Sequence, residues 1–278
     1  NVFQAAVVSA ERVAELLDQQ PEIVDRVGAR DLPRVAGAVE FRNVTFGYEP
    51  GQPVLRGLNL RAEPGETVAL VGPTGAGKTS IINLLARFYE PQEGLVLVDG
   101  VDLRTVTQRS WRSQLGIVQQ DTFLFSGTIR ENIRFGRPDA SDADVEAAAR
   151  AVGLHEFITQ LERGYDTEVQ ERGAKLSVGQ RQLIAFARAL CANPAVLILD
   201  EATSNIDTVT EALIQDALRT LLHGRTAFVI AHRLSTIRQA DRIYFIENGR
   251  VVEEGRHEEL LALGGRYARL YRGQWEGA

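Results

Sequence analysis

Residues 68–80 read VALVGPTGAGKTS. The first four form an apolar run typical of a buried strand, and the rest matches G-x-x-x-x-G-K-[ST] ahead of a helical pattern over residues 79–88. Glycines let backbone N–H groups turn inward around a phosphate, and a helix start adds partial positive charge. We expect nucleotide contacts from Gly72, Thr74, Gly75, Ala76, Gly77, Lys78, Thr79 and Ser80.

Two residues of this loop are expected to have separate roles. Lys78 would place a positive charge beside the β- and γ-phosphates, and the Thr79 hydroxyl would be a ligand for Mg²⁺. The alternative is a glycine-rich turn that carries a surface lysine. The apolar run before the loop and the helical pattern after it favour phosphate binding, because the binding mechanism requires that order of elements.

Short apolar runs alternate with helical patterns along most of the chain. This alternation predicts an α/β fold with a largely parallel sheet and an antiparallel β piece at its N-terminal side. Residues 121–178 show little strand character and are expected to form a mostly helical subdomain. Asn248-Gly249 predicts a hairpin turn into residues 250–253. The predicted strands are residues 39–46, 54–60, 68–71, 95–98, 116–118, 196–199, 227–230 and 243–246, and the predicted helices are residues 79–88, 141–151, 179–191 and 208–222.

Two adjacent acidic residues, Asp200 and Glu201, follow the apolar run at residues 196–199. Many parallel strands end in an acid, so this pair becomes informative only beside a phosphate loop. One carboxylate can then hold Mg²⁺, usually through water, while the next points elsewhere and polarises a water molecule. We therefore assign Asp200 to the metal and Glu201 to the general base.

Polar side chains also follow two further apolar runs. Gln120 comes after residues 116–118, and His232 comes after residues 227–230. A lone histidine is more often a satisfied surface or core residue than a functional one. Open α/β sheets, however, bind ligands along the edge formed by the carboxyl ends of their parallel strands. Together with the loop and the acidic pair, these side chains are expected to line one phosphate site.

Tyr48 and Ser177 mark two further candidate positions. Tyr48 is either a core residue or a ring that stacks on adenine, a contact worth about 1–3 kcal/mol by analogy with base–aromatic stacking. Ser177 is expected to cap the helix that follows it. Simple capping is one interpretation. The other is a second anion-binding helix start, left bare by Gly179, that serves the nucleotide of another domain.

The N-terminal part of the chain predicts a helix followed by a linker. Apolar residues in residues 1–20 recur on one helical face, and they are Phe3, Val7, Ala10, Ala14 and Leu17. Prolines and glycines among charged residues predict a linker at residues 21–38. The helix is either an amphipathic helix lying on its own domain or the last turns of a helix from an upstream domain. The lack of methionine in the chain favours the second interpretation.

Composition excludes several classes of protein. The 278 residues are enough for about two domains and a large core. One cysteine excludes an internal disulfide and a four-cysteine metal site. The net charge of −6 argues against a broad nucleic-acid-binding surface. No run of 18 apolar residues is present, so no complete transmembrane helix is expected.

The motifs together resemble those of the nucleotide-binding domain of ATP-binding cassette (ABC) transporters, a P-loop NTPase fold, over about residues 39–270. The resemblance implies that Tyr48 stacks on adenine, that Gln120 is the Q-loop glutamine and a metal ligand, and that His232 contacts the γ-phosphate. Residues 204–207 resemble the D-loop, which ends here at Asp207 and lies across a dimer interface.

Residues 176–180 resemble the signature motif of that family. The resemblance implies a head-to-tail dimer in which Ser177, Gly179 and Gln180 complete the ATP site of the opposite domain. Val178 departs from the family pattern, which more often has glycine there, and we expect a mild effect. The implied cofactors are ATP and Mg²⁺.

Other segments resemble the exporter branch of the family. Residues 123–133, FLFSGTIRENI, resemble the exporter segment after the Q-loop, and residues 171–173 resemble the exporter X-loop. The resemblance implies an ATPase motor domain (residues 39–278) at the cytoplasmic face of the cell membrane, in contact with a membrane domain in the same full-length chain. Residues 1–20 would then be the cytosolic tail of the last transmembrane helix. The apolar run at residues 123–125 suits such a contact or the core.

Two other function classes are weighed against this one. Chromosome-associated ATPases of the superfamily carry long coiled-coil insertions, whereas Ser177 follows Lys78 by only 99 residues here. Translation factors of this type usually carry two cassettes, and this chain has one. A non-catalytic half of a heteromer is a further alternative. The presence of Glu201 and His232 favours a competent site, while the choice between homodimer and heterodimer stays open.

Overall fold

The computed structural model describes residues 2–169, 176–200, 208–231 and 233–274. Its strands are β1 Val39–Phe46, β2 Leu55–Ala62, β3 Thr67–Val71, β4 Glu93–Val98, β5 Val101–Asp102, β6 Leu115–Val118, β7 Gly127–Thr128, β8 Glu168–Val169, β9 Val196–Asp200, β10 Thr226–Ile230, β11 Arg242–Glu247 and β12 Arg250–Gly255. Its α-helices are α1 Val2–Asp18, α2 Lys78–Leu85, α3 Gln108–Arg112, α4 Ile129–Arg134, α5 Asp142–Ala151, α6 His155–Thr159, α7 Val178–Cys191, α8 Thr208–Leu222, α9 Leu234–Gln239, α10 His257–Leu263 and α11 Arg266–Gln274. The four predicted helices correspond to α2, α5, α7 and α8.

The central sheet has the strand order β12-β11-β3-β10-β9-β6. All neighbouring pairs are parallel except β11 and β12, so the predicted parallel sheet is confirmed. Both faces of the sheet are covered. Val68 and Leu70 of β3 belong to one apolar core, and Ala69 and Val71 belong to the other. This alternation explains why the strand is apolar at every position.

A second sheet, with the order β2-β1-β4-β5, is antiparallel throughout. It confirms the predicted antiparallel piece and enlarges it by β4, because Val39 of β1 pairs with Val98 of β4. Phe41 and Leu58 of this sheet share a core with Leu70 of the central sheet. The antiparallel sheet therefore supports the side of the central sheet on which α2 also packs.

The predicted hairpin turn is confirmed. Asn248 and Gly249 have φ angles of 51° and 75° and join β11 to its antiparallel neighbour β12. Positive φ at both positions is the geometry of a type I′ turn, which suits the twist of the flanking strands.

The predicted helical subdomain contains α4, α5 and α6, together with the short pair β7 and β8. Its apolar side chains pack with those of α7 in one of the two cores, and they include Ile129, Ile133, Val145, Ile158, Leu183 and Phe186. The mostly helical prediction is confirmed for the part of residues 121–178 that the structure describes.

The predicted N-terminal helix is confirmed as α1, and its described side chains are exposed. Phe3 and Leu17 are 81% and 78% exposed, so the apolar face of α1 does not pack on the described domain. Among the described residues, no helix combines the length and apolarity that crossing a membrane requires.

Residues 21–38, here called the strap, lie along the domain and are held by hydrogen bonds. Asp99 accepts bonds from the N–H groups of residues 36–38 at 2.6–3.1 Å. The buried Gln114 accepts from the N–H of Val35 at 2.9 Å. The buried Arg87 donates to Asp25 at 3.3 Å. The strap has the irregular backbone expected of a linker, but its position on the domain is specified by these side chains.

Candidate nucleotide site

The carboxyl ends of β3, β10, β9 and β6 meet at one edge, because these four parallel strands are consecutive neighbours in the sheet. Leu70 is level with Ile230, Ile230 with Asp200, and Leu199 with Val118. The phosphate loop follows the end of β3, Asp200 is the last residue of β9, and Gln120 lies two residues beyond β6. Glu201, Asp207 and His232 lie outside the described residues, so their roles stay predictions.

The phosphate loop has the backbone that its glycines allow. Gly72, Gly75 and Gly77 have φ angles of 152°, 79° and 105°, which side-chain-bearing residues rarely adopt. A Cβ on Gly77 would lie 2.6 Å from Leu55 Cδ2, and one on Gly72 would collide with the carbonyl oxygen of Ile246. The loop therefore needs glycine at both positions to fit between the antiparallel sheet and β11.

Helix α2 begins directly after this loop. Gly77 is its N-cap and offers no side-chain hydrogen bond to the first turn. The amide groups at a helix start that no side chain caps can bind an anion, and the helix dipole favours negative charge there. Thr74, Gly75 and Thr79 are exposed, whereas Ala76, Gly77 and Ser80 are buried. The loop is therefore exposed at Thr74 and Gly75, whereas the two residues directly before α2 are buried.

Lys78 lies close to both the loop and Asp200. Its Nζ donates to the carbonyl oxygens of Gly72 at 2.7 Å and Pro73 at 2.9 Å. Burial lowers the pKa of the Lys78 ammonium, and the Asp200 carboxylate opposes that shift. This electrostatic coupling indicates that the cation and the carboxylate share one site, although 122 residues separate them in the sequence.

The residues around Lys78 fit a magnesium ion. Thr79 is exposed next to Lys78, and Asp200 is near enough to influence its charge. Hydroxyl and carboxylate oxygens are donors that Mg²⁺ prefers. Gln120 is exposed after the end of β6 and would add an amide oxygen. The donor set at this edge therefore suits Mg²⁺.

Tyr48 is fixed to α2 by its hydroxyl group. That group is 3.0 Å from Ser80 Oγ and accepts from Asn83 Nδ2 at 3.1 Å. The ring packs edge-on against Phe46 and Tyr89, with centroid distances of 5.0 Å to each. Because 48% of Tyr48 is exposed, the ring offers an aromatic surface near the phosphate loop.

Ser80 and Gln92 help to position Tyr48, and the sequence analysis did not identify either residue in this role. The Ser80 hydroxyl bonds to Tyr48, so its described role is to position the ring, and its nucleotide contact stays a prediction. The Gln92 side chain accepts from the N–H of Gly47 at 2.9 Å and donates to its carbonyl at 2.7 Å. This pair of bonds fixes the backbone just before Tyr48.

The predicted cap of α7 is confirmed. Ser177 Oγ accepts from the N–H of Gln180 at 3.2 Å, and Gln180 Oε1 accepts from the N–H of Ser177 at 2.9 Å. This reciprocal capping box occupies the Gln180 amide. It limits the expected bare helix start to two groups, because the amides that remain for an anion in this described turn are those of Val178 and Gly179. Val178 is 46% exposed and Gly179 is buried.

Phe123, Phe125 and Phe135 are exposed near the end of β6 and surround Arg188 of α7. Phe125 and Phe135 stack with a centroid distance of 4.2 Å, and the Arg188 guanidinium lies over both rings. The groove that these four residues line, here called the aromatic groove, also reaches Ile117, Gln119, Asp121, Thr122 and Ala185. The exposure favours the contact-surface interpretation of residues 123–125 for both phenylalanines, whereas Leu124 between them belongs to the core.

Comparison with known families gives a direct match. Residues 55–204 match the family model described as ABC transporter. This match begins at β2, includes the phosphate loop and the α7 cap, and extends past Glu201.

Characterised and uncharacterised relatives agree with this match. The chain is 52% identical over 276 residues to an uncharacterized ABC transporter ATP-binding protein of Bacillus subtilis, covering 99% of this chain and 46% of the relative. It is 53% identical over 272 residues to a fatty acid ABC transporter ATP-binding/permease protein of Mycobacterium bovis, covering 98% and 43%. It is 49% identical over 276 residues to an ATP-dependent lipid A-core flippase of Syntrophus aciditrophicus, covering 99% and 46%. The chain thus spans less than half the length of these relatives.

A solved structure has the same fold. It is titled as a bacterial Atm1-family ABC exporter with ATP bound, and it superposes with a TM-score of 0.89 at 45% identity. The match covers 98% of this chain and 48% of that chain.

Proposed function

Because the chain belongs to the ABC transporter family, whose ATP-binding domains are ATPases coupled to transport, we propose that it is the motor domain of a membrane exporter. The observation that carries the proposal is the convergence of the phosphate loop, Lys78 and Asp200 at one sheet edge. In this proposal, ATP binding closes a head-to-tail dimer and hydrolysis reopens it.

The residues at this edge would divide the work of phosphoryl transfer. The loop amides and Lys78 would surround the β- and γ-phosphates and stabilise their charge. Thr79, Asp200 and Gln120 would hold Mg²⁺, which neutralises charge on the phosphate oxygens. Glu201 would accept a proton from the attacking water, and His232 would contact the γ-phosphate. Tyr48 would stack on the adenine.

The start of α7 supports a composite site between two domains. The amides of Val178 and Gly179 and the Ser177 hydroxyl would form a second anion-binding site at the start of α7, in addition to the loop before α2. Capping uses the Ser177 oxygen as an acceptor, and the hydroxyl proton can still be donated to a phosphate. The start of α7 would therefore act at the ATP held by the opposite domain, through Ser177, Gly179 and Gln180. Asp207 would act at the same ATP. The opposite domain is either a second copy or a different chain.

The aromatic groove would contact the membrane domain at the cytoplasmic face of the membrane. Exposed aromatic side chains around a partly buried arginine are typical of a protein–protein contact surface. One relative is named an ATP-binding/permease protein and another a flippase, which supports a membrane domain in the same full-length chain. The exposed apolar face of α1 is consistent with its proposed origin as the tail of a transmembrane helix.

The solution mass of the Glu201→Gln chain tests this proposal. With ATP and Mg²⁺, light scattering is expected to show a doubled mass, because the variant binds ATP without hydrolysing it. The matched control combines Glu201→Gln with Lys78→Ala and is expected to stay monomeric. A doubled mass supports two composite sites in a homodimer. ATP binding at constant mass would instead support a different partner chain, and a failure to bind ATP would contradict the proposal.

A further inference from the structure

A side chain added at Gly179 would be directed at another helix of the same chain. Gly179 lies in the first turn of α7, where it is buried beside the exposed Val178. A Cβ on Gly179 would collide with the Cγ2 methyl group of Thr210 and would lie 3.6 Å from Ile214 Cδ1. Both neighbours belong to α8. A side chain at residue 179 would therefore be directed at α8 and away from the surface that a nucleotide of another domain would approach.

Glycine at residue 179 can be required for two reasons, either to leave room for a phosphate or to leave room for α8. A glycine that only admits a phosphate would leave open space on the side where its side chain would point. Here that space is filled by the Cγ2 methyl group of Thr210. The backbone of the α7 start thus rests directly on α8.

We propose that the contact between Gly179 and Thr210 positions the start of α7, and that glycine is required at residue 179 because of this contact within the chain. The inference rests on the proposed head-to-tail dimer. Ser177 and the amides of Val178 and Gly179 belong to the same helical turn. Any displacement of this turn from α8 moves the groups that the dimer requires, although residue 179 presents no side chain to the nucleotide.

The same part of α8 also contacts the segment that carries His232. Glu211, next to Thr210, accepts a hydrogen bond from Arg233 Nη1 at 3.0 Å. Arg233 directly follows His232 in the sequence. The beginning of α8 therefore contacts two segments. One is the start of α7, which is proposed to act at the ATP of the opposite domain. The other contains His232, which is expected to act at the ATP of this domain. A change at the Gly179–Thr210 contact is expected to affect dimerisation for this reason as well.

A cycle of substitutions at residues 179 and 210 tests the proposal in the Glu201→Gln chain. Gly179→Ala adds the single carbon that would meet the Thr210 methyl group. Thr210→Ser removes that methyl group and keeps the hydroxyl, whereas Thr210→Val keeps a methyl group and serves as the matched control. Light scattering at increasing ATP gives the concentration at which half of each variant is dimeric.

Gly179→Ala is expected to raise the half-dimerisation concentration at least fivefold. Combined with Thr210→Ser, it is expected to return to within twofold of the Thr210→Ser variant alone, and combined with Thr210→Val it is expected to stay impaired. The proposal would be overturned if the double Gly179→Ala/Thr210→Ser variant were as impaired as Gly179→Ala. In that case the added methyl group would interfere with the nucleotide, and a smaller residue 210 on α8 could not relieve that interference. An unimpaired Gly179→Ala variant would overturn it too.

Urea unfolding of the same variants tests the contact without a dimer. Alanine is otherwise preferred over glycine in a helix, so a lower urea midpoint for Gly179→Ala is diagnostic of the collision. We expect Thr210→Ser, but not Thr210→Val, to restore that midpoint. If the Glu201→Gln parent binds ATP and does not dimerise, the partner in the proposed head-to-tail dimer is a different chain. The urea cycle then still decides the inference, because independent effects at the two residues would contradict it.

Discussion

Arg188→Ala is expected to loosen the aromatic groove and the segment that follows β6. The Arg188 guanidinium donates to the Asn132 carbonyl and to Asn132 Oδ1 at 2.9 Å each, and to the Phe123 carbonyl at 3.0 Å. It also lies 5.3 Å and 5.7 Å from the ring centres of Phe125 and Phe135. The Arg188 side chain thus connects residues 123–125 with residues 132–135 across the aromatic groove.

The size of the effect follows from these contacts. Hydrogen bonds to charged groups contribute about 1.5–3 kcal/mol each, and cation–π contacts about 0.5–1 kcal/mol. Burial lowers the pKa of Arg188 to about 10, which corresponds to a cost of about 3 kcal/mol for keeping the charge. Since all these contacts share one guanidinium, they do not add fully. We expect a net loss of about 3 kcal/mol in the local stability of residues 123–135.

Hydrogen exchange at the Phe125 amide measures this loss directly. That amide donates to Asn132 Oδ1 at 2.9 Å, the oxygen to which Arg188 also donates. A loss of about 3 kcal/mol corresponds to exchange about 100-fold faster. The control is Arg150→Ala, which removes an exposed pair with Glu146 and is expected to change this rate less than threefold. Acceleration below fivefold in Arg188→Ala would refute the reasoning.

Three further substitutions test the nucleotide site. Lys78→Ala is expected to weaken ATP binding at least tenfold, because it removes the cation at the phosphate loop, and an unchanged Kd by calorimetry would contradict that assignment. Glu201→Gln is expected to keep ATP binding while slowing phosphate release on the order of 100-fold or more, and wild-type turnover would rule out Glu201 as the base. Tyr48→Ala is expected to weaken ATP binding about 5- to 150-fold through lost stacking. Tyr48→Phe, which retains the ring, should lose much less, so equal losses would argue against stacking.

The central sheet and the phosphate loop could be predicted because their signals are local. Strands such as β9 and β10 are short and apolar at nearly every position. Such runs suit only strands covered on both faces, and parallel strands then bring their carboxyl ends together. The hairpin at Asn248-Gly249 and the cap at Ser177 were predictable for the same reason, since each depends on residues within one turn.

The neighbours of a strand could not be predicted from its own composition. Residues 95–98 are as apolar as the strands of the central sheet, yet β4 pairs with β1 in the antiparallel sheet. An apolar run specifies burial, whereas the choice of sheet depends on contacts between residues far apart in the chain. At the start of α7, the capping box occupies the backbone amides of Ser177 and Gln180, so fewer amides are open to an anion there than the sequence analysis expected.

Composition was least informative about the strap. It indicates an irregular backbone there but does not show whether the strap is held on the domain. Arg87, which is 1% exposed, donates to Asp25 and, at 2.6 Å, to the Val106 carbonyl. It lies just beyond the last turn of α2, with a φ angle of 54°. Helix α2 therefore begins at the phosphate loop and ends beside a buried cation that fixes the strap. Removing a partner of a buried charge is strongly destabilising, so the contact between Arg87 and Asp25 helps to hold the strap on the nucleotide domain despite its linker-like sequence.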